Sequence, residues 1–146
     1  MDASLELLMA AVARLRSTPA IVAYVGPRIY DRVPQKADGT WIAQFPFISI
    51  GPTTVMPDDF DCVPSEEITI QFDVWSTATS GEGADSVMPR KIANLVKRAL
   101  HNVDLTLTSN ALVTLQHVMT RSVGDPNPAI YHYAVQFTAT VETPGA

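Results

Sequence analysis

The chain has 146 residues, 47% of them apolar, enough to bury a core without disulfide or metal staples and too many for a disordered chain. Its formal charge of −5 argues against a nucleic-acid binder that neutralises phosphates, since such domains carry a basic excess. The solitary Cys62 rules out an internal disulfide, and no apolar run reaches the roughly 18 to 20 residues that span a bilayer.

Asp2 or Ser4 can cap a first helix, and Glu6 falls in its first turn, where the helix dipole favours negative charge. The same acidic residues stand where a secretory signal carries basic ones, so a soluble cytosolic product is expected. Leu5, Leu8, Met9, Val12 and Leu15 make one apolar stripe, with Arg14 and Arg16 near the C-terminal end. Thr18-Pro19 reads as an N-cap with proline at the first helical position. A short second helix through Ile21, Val22 and Tyr24 then stops at Gly26-Pro27.

Arg28 to Asp31 is a short strand, Pro34 to Thr40 a polar connection, and Phe45 to Ile50 a second strand turned by Gly51-Pro52. Between Thr53 and Ser65, Pro57, Pro64 and the run Asp58-Asp59-Phe60-Asp61 suit a long hairpin or projecting loop rather than a central strand. The organising strand is Glu67 to Ser76. Ile68, Ile70, Phe72 and Val74 share one face, and Glu67, Thr69, Gln71 and Asp73 the other. Trp75 puts a large ring on the polar side, where something other than the core must meet it.

A Ser-Thr-Gly-rich break from Ser76 to Gly83 precedes an amphipathic helix over about Ser86 to His101, with the stripe Met88, Ile92, Leu95, Val96, Ala99 and Leu100. Pro89 is tolerated if Ser86 is the N-cap, because the first-turn N–H groups are unpaired anyway; a start near Glu82 would kink. Asp104 to Leu107 reads as a short edge segment, and Leu112 to Arg121 as a strand with imperfect alternation. After the turn Gly124 to Pro128 comes the strand Ala129 to Val141. Tyr131, Tyr133, Val135, Phe137, Ala139 and Val141 lie on one of its faces, and His132, Gln136, Thr138 and Thr140 on the other. The order predicts one α+β domain over residues 1–146: a largely antiparallel β-sheet with N-terminal helices and one long amphipathic helix packed on it.

The residue types that carry chemistry are present without the patterns that chemistry needs. His117 and His132 lie on the last hairpin, but its turn does not place them opposite each other, and no third ligand accompanies them. His101 ends the long helix, where a partly cationic ring favours the dipole. Cys62 has no nucleophile signature around it, and its acidic loop disfavours a thiolate. Asp58, Asp59 and Asp61 lack the glycine and closing glutamate of a calcium loop. Gly81 and Gly83 precede a helix, but no Gly-Lys-Ser/Thr follows. No enzyme, metal or cofactor is indicated. Arg90, Lys91, Asn94, Lys97 and Arg98 give the long helix a basic outer face, suited to an acidic surface on another subunit.

Taken together, several stretches look like one family. Gly26-Pro27-Arg28-Ile29-Tyr30-Asp31-Arg32-Val33-Pro34-Gln35 follows two short helices. Phe45-Pro46-Phe47-Ile48-Ser49-Ile50-Gly51 and Phe72-Asp73-Val74-Trp75-Ser76 come next, then a helix ending Arg98-Ala99-Leu100-His101. In this order they resemble the tail-completion or tail-terminator proteins of long-tailed, siphovirus-like bacteriophages, prophages and gene-transfer agents. Pro89 and the Asp- and Pro-rich stretch from Met56 to Ser65 depart from that pattern.

The resemblance implies a structural virion protein, not an enzyme. Such proteins form a ring, usually of six subunits, at the head-proximal end of the tail tube, after assembly in the host cytoplasm. The ring stops tube polymerisation and offers the surface that docks to the head's connector. Implied partners are further copies of the chain, the major tail tube protein and the head–tail connector or stopper, with DNA sliding through the lumen unbound and no membrane involved. Expected contacts are Asp58, Asp59, Phe60 and Asp61 on the loop, the anchor Trp75, and the cations Arg28, Arg32, Arg90, Lys97 and Arg98, with exposed strand edges free to pair between subunits. Two rivals stand beside this reading: another neck component, and a small soluble enzyme using Cys62 or the histidines.

Overall fold

The computed structural model describes residues 1–77 and 86–145. Its elements are α1 (Ala3–Arg16), α2 (Pro19–Val25), β1 (Ile29–Tyr30), β2 (Phe47–Ile50), β3 (Thr54–Pro57), β4 (Ser65–Thr77), α3 (Val87–Leu100), β5 (Ala111–Val123) and β6 (Ile130–Glu142). The strands form one six-stranded sheet of order β1-β2-β4-β6-β5, with β3 pairing β4 alongside β2. Only β1–β2 is parallel; the other pairs are antiparallel, as expected of an α+β fold.

The period-two pattern of β4 decides the layering. Ile68, Ile70, Phe72 and Val74 have no solvent exposure and face Val135, Phe137, Ala139 and Val141 of β6 within one core. Burying each such side chain contributes about 1.5–3 kcal/mol, so this face anchors the domain. Ile92, Ala93, Val96, Ala99 and Leu100 of α3 cover it. Ser86 is the N-cap, and Pro89 lies buried in the first turn where its missing N–H costs nothing. The glycine-rich break beyond Thr77 and the alternative helix start near Glu82 fall outside the described residues.

α1 corrects the expected stripe. Its buried side is Ala3, Leu7, Ala11 and Leu15, a run at steps of four, whereas Leu5 and Met9 are exposed and Leu8 and Val12 half-buried. The two alanines let the helix lie against the core; of the predicted stripe Leu15 is fully buried and Leu8 and Val12 pack at the core's edge, while Leu5 and Met9 are turned aside. Asp2 is the N-cap, accepting from the Leu5 N–H at 2.8 Å. Glu6 lies in the first turn, as expected. It is buried, accepting from the Ser109 N–H at 2.8 Å and from Asn110 Nδ2 at 2.9 Å. α2 begins at Pro19 and ends at Gly26, whose φ of 55° suits glycine, but it buries Ile21 and Val25 and exposes Val22.

Three further boundaries differ. β1 keeps only Ile29 and Tyr30, and β2 begins at Phe47, after a cis Phe45–Pro46 bond. The stretch from Asp104 to Leu107 is irregular chain, not an edge strand, with Leu107 tucked into the core. The imperfect alternation of β5 has a cause: its register against β6 shifts between Leu112 and Thr114 and again between His117 and Met119, each an irregularity that turns side chains to the other face. No single described helix is long and apolar enough to cross a membrane.

Candidate functional site

The second face of the sheet carries a compact side-chain cluster. Trp75 pairs with Phe47 across β4–β2 and with His132 across β4–β6. Its ring stacks on His132 with centroids 3.8 Å apart and planes 16° apart, lies 6.2 Å from Phe47, and meets Trp41 edge-on at 4.8 Å. Tyr30 and Phe45 close around Phe47, which has no exposure. The ring that the pattern leaves for a partner is thus met by the chain's own 30–47 segment, and Trp75 stays half-buried. Its Nε1–H donates to Ser49 Oγ at 3.0 Å.

Beside it, the buried Asp73 accepts from His132 Nε2 at 2.7 Å and from Gln71 Nε2 at 2.9 Å. Serine, histidine and aspartate therefore lie close together, but not as an acyl-transfer relay. Ser49 Oγ is buried and bonded to the indole, and the histidine ring is flat against Trp75 with Nε2 turned to the carboxylate. The group ties β2, β4 and β6 together on the face away from the helices.

The acidic stretch Asp58 to Asp61 forms the tip of a projecting hairpin. Phe60 and Val63 exchange backbone hydrogen bonds at 3.1 and 2.6 Å across a two-residue turn, Asp61-Cys62, with φ of 38° and 71°. Positive φ at both central residues is the primed turn geometry that matches strand twist, normally supplied by Asn-Gly or Asp-Gly. The base is tied down: Ser65 Oγ donates to the Asp58 carbonyl, the Ser65 N–H to Asp59 Oδ1 at 3.1 Å, and the Thr143 N–H to the Pro64 carbonyl at 2.9 Å. All of β3 is exposed, and Val55, Met56, Phe60 and Val63 present large apolar surface. Cys62 is an exposed free thiol at the turn.

The predicted cations divide into two kinds. Arg28 is part of the frame: its Nε donates to the Pro46 carbonyl at 3.0 Å and Nη2 to the Tyr24 carbonyl at 3.2 Å, joining α2 to the 45–47 turn. Arg32 is exposed in the connection after β1. Arg90, Asn94 and Lys97 line a groove of about 530 Å³ between α3 and the β5–β6 hairpin, opposite His117, Thr120 and Ser122. Arg90 lies over the Tyr133 ring, 5.4 Å from its centroid, and Arg98 is exposed on the same helix. Burial, then the Lys97 and His101 charges, hold His117 below its ordinary value, so its ring is neutral at neutral pH and the groove's positive charge comes from Arg90 and Lys97. His117 pairs with Phe137 and His132 with Val123, so the two are not opposed. Among the described residues, no group of three His, Cys, Asp or Glu side chains can hold a metal ion.

One surface has no counterpart in the expected contacts. Leu5, Leu8, Met9 and Val12 of α1, with Ile29 and Ile50 of the sheet, line an apolar groove of about 690 Å³ bordered by Arg16 and Asp31. The signal was in the sequence: α1 is apolar on more than one side, which a helix facing a single core does not need.

The chain matches the family of the tail completion protein gp17 over residues 9–142. Its fold is similar to a chain from a solved structure titled "Virion of native gene transfer agent (GTA) particle", with a TM-score of 0.76 and 23% identity over 92% of each chain. No curated protein matches the chain.

Proposed function

We propose a function from a fixed premise: the chain belongs to the tail completion protein gp17 family. It is a structural component of a phage-type tail, and our reading of its task is a terminator. Copies of residues 1–146, each acting as one tail-terminator domain, close into a ring of six at the head-proximal end of the tail tube. The ring stops tube polymerisation and presents the surface that receives the head's connector or stopper protein.

The observation that carries this reading is an arm on a complete body. The core is covered by α3 on the helical face, yet a hairpin projects with an apolar, acidic tip whose Asp59, Phe60 and Asp61 are exposed among the described residues, with Asp58 half-buried at its base. Such an arm serves contacts with other molecules, whether a neighbouring copy or the tube protein. The groove of Arg90 and Lys97, with Arg98 beside it, suits an acidic partner surface, and Arg32 and the uncovered part of Trp75 are lesser contacts. Arg28 acts by holding the framework. The acidic balance of the chain favours a lumen through which DNA slides without being gripped. Particles then carry the protein in the neck, and assembly takes place in the host cytoplasm.

Negative-stain imaging of tails made without the protein tests this: overlong tubes lacking heads are expected, and tubes of normal length would refute capping. Purified protein should also bind tail tubes and ignore tail-less heads that carry a portal.

A further inference from the structure

We infer that the β3–β4 hairpin tip of one copy seats in the α1 groove of the next, the contact that closes the ring on which this inference rests. The groove is walled by Leu5, Leu8, Met9 and Val12 and floored by Ile29 and Ile50. Met9 is 58% exposed and Leu5 51%, high for a helix whose other side is fully buried. The hairpin offers the complement, Phe60 at the tip with Val63 across from it and Val55 and Met56 along the arm.

A hairpin cannot fill its own chain's groove. Thr54 to Pro57 are held in the β4 ladder, and the base is fixed through Ser65 and Thr143. At about 3.3 Å per residue the arm from Thr54 to the turn extends roughly 23 Å away from Ile50. The tip therefore reaches another copy, and tip and groove are different surfaces. A contact between unlike patches repeats head to tail and closes into a ring when its rotation allows.

Charge sets the direction. The tip bears Asp58, Asp59 and Asp61, while the groove ends at Arg16, with Arg32 nearby in sequence to Ile29. Asp31 is the carboxylate on that rim. Arg16 spends Nη2 on the Ile29 carbonyl, so its other guanidinium donors remain for an incoming carboxylate. Phe60 enters the apolar floor, and the aspartates settle on these arginines.

Two probes on assembled tails test the inference. Phe60→p-benzoylphenylalanine, irradiated and mapped by mass spectrometry, should label the segment from Leu5 to Val12 of a second copy; labelling of the tube or connector protein instead would overturn it. Met9→Cys, paired by oxidation with the native Cys62, should give a reducible ladder of multimers up to the ring. The native protein and Met9→Cys with Cys62→Ser should not. Phe60→Asp in the Met9→Cys background should cut the cross-linked fraction at least about 30-fold, as expected for loss of a central aromatic anchor. Rings visible on the tails without a ladder would refute the arm-in-groove contact alone; tails with no ring at all would remove the terminator reading with it.

Discussion

Replacing Trp75 separates a framework role from a contact role, because the structure gives the ring several internal partners. Trp75→Ala removes the stack on His132, the packing on Phe47 and the edge contact with Trp41. A fully buried Trp→Ala costs about 3–5 kcal/mol, and half-burial brings the packing loss to about 2–3. The buried Ser49 hydroxyl also loses the indole N–H, which adds about 1 kcal/mol. A total of about 3–4 kcal/mol, at about 2–4 °C per kcal/mol for a chain of this size, lowers Tm by about 10 °C. Trp75→Phe keeps a ring between Phe47 and His132 but loses the N–H donor, so it should cost about 1–2 kcal/mol. Urea unfolding followed by far-UV circular dichroism reads both, since fluorescence would mix Trp75 with Trp41. Unchanged slopes with shifted midpoints would mark a stability effect on the native state. A Tm lowered by less than about 2 °C, together with lost attachment to tail tubes, would refute the reasoning and return Trp75 to the role of a partner anchor.

Cys62→Gly should stabilise the hairpin by about 1 kcal/mol, because Cys62 holds a φ of 71° that glycine adopts without strain; urea midpoints report it. Leu7→Ala should cost about 2–5 kcal/mol while Met9→Ala stays within about 0.5, and comparable losses at the two sites would refute the observed register of α1. Glu6 has a pH signature. Burial raises its carboxyl, but the Ser109 N–H and Asn110 side chain outweigh this and hold it below its ordinary value of 4.5. A depressed folded pKa means that its stabilisation is present above that ordinary value and is lost as pH falls through the folded one. Glu6→Gln should therefore flatten the fall in urea midpoint below about pH 4.5, and an unchanged profile would show that Glu6 does not titrate with folding.

How far the fold could be read depended on whether a segment's surroundings are set by its own pattern. In β4 the alternation of Ile68, Ile70, Phe72 and Val74 with polar residues states both environments at once, and α3 states its core side almost as clearly. α1 does not, because leucine and methionine occur around most of the helix. Its orientation follows from where Ala3 and Ala11 allow close approach, a property of the partner surface as much as of the helix. The length of the 53–65 hairpin was visible in its prolines, but its Asp61-Cys62 turn lacks the usual glycine. Glu6, Arg28 and Trp75 have internal partners that the sequence did not disclose, for a shared reason. Each is satisfied by groups remote in sequence, at 109–110, at Pro46, and at 41, 47 and 132, that no local spacing reveals.

The edges of the sheet bear on how the proposed ring would close instead of running on. An open strand edge invites indefinite pairing, and β5, at the end of the sheet, is long enough to be one. Its outer side is engaged at the middle: the Asn102 N–H donates to the Leu115 carbonyl at 2.8 Å, and the His117 N–H to His101 Nδ1 at 3.0 Å. Register shifts on either side of this engaged stretch interrupt the ladder, and Pro57 removes a donor from β3. Edge pairing between subunits, the simplest expectation from an exposed strand, is thus blunted at β5 and weakened at β3. Side-chain docking of an arm into a groove, as inferred above, would fix one relative orientation of neighbours without using a strand edge. For the terminator proposed above this difference matters: a β-edge can keep adding strands, whereas a docked arm of fixed rotation would use up its own binding site once the proposed ring closed.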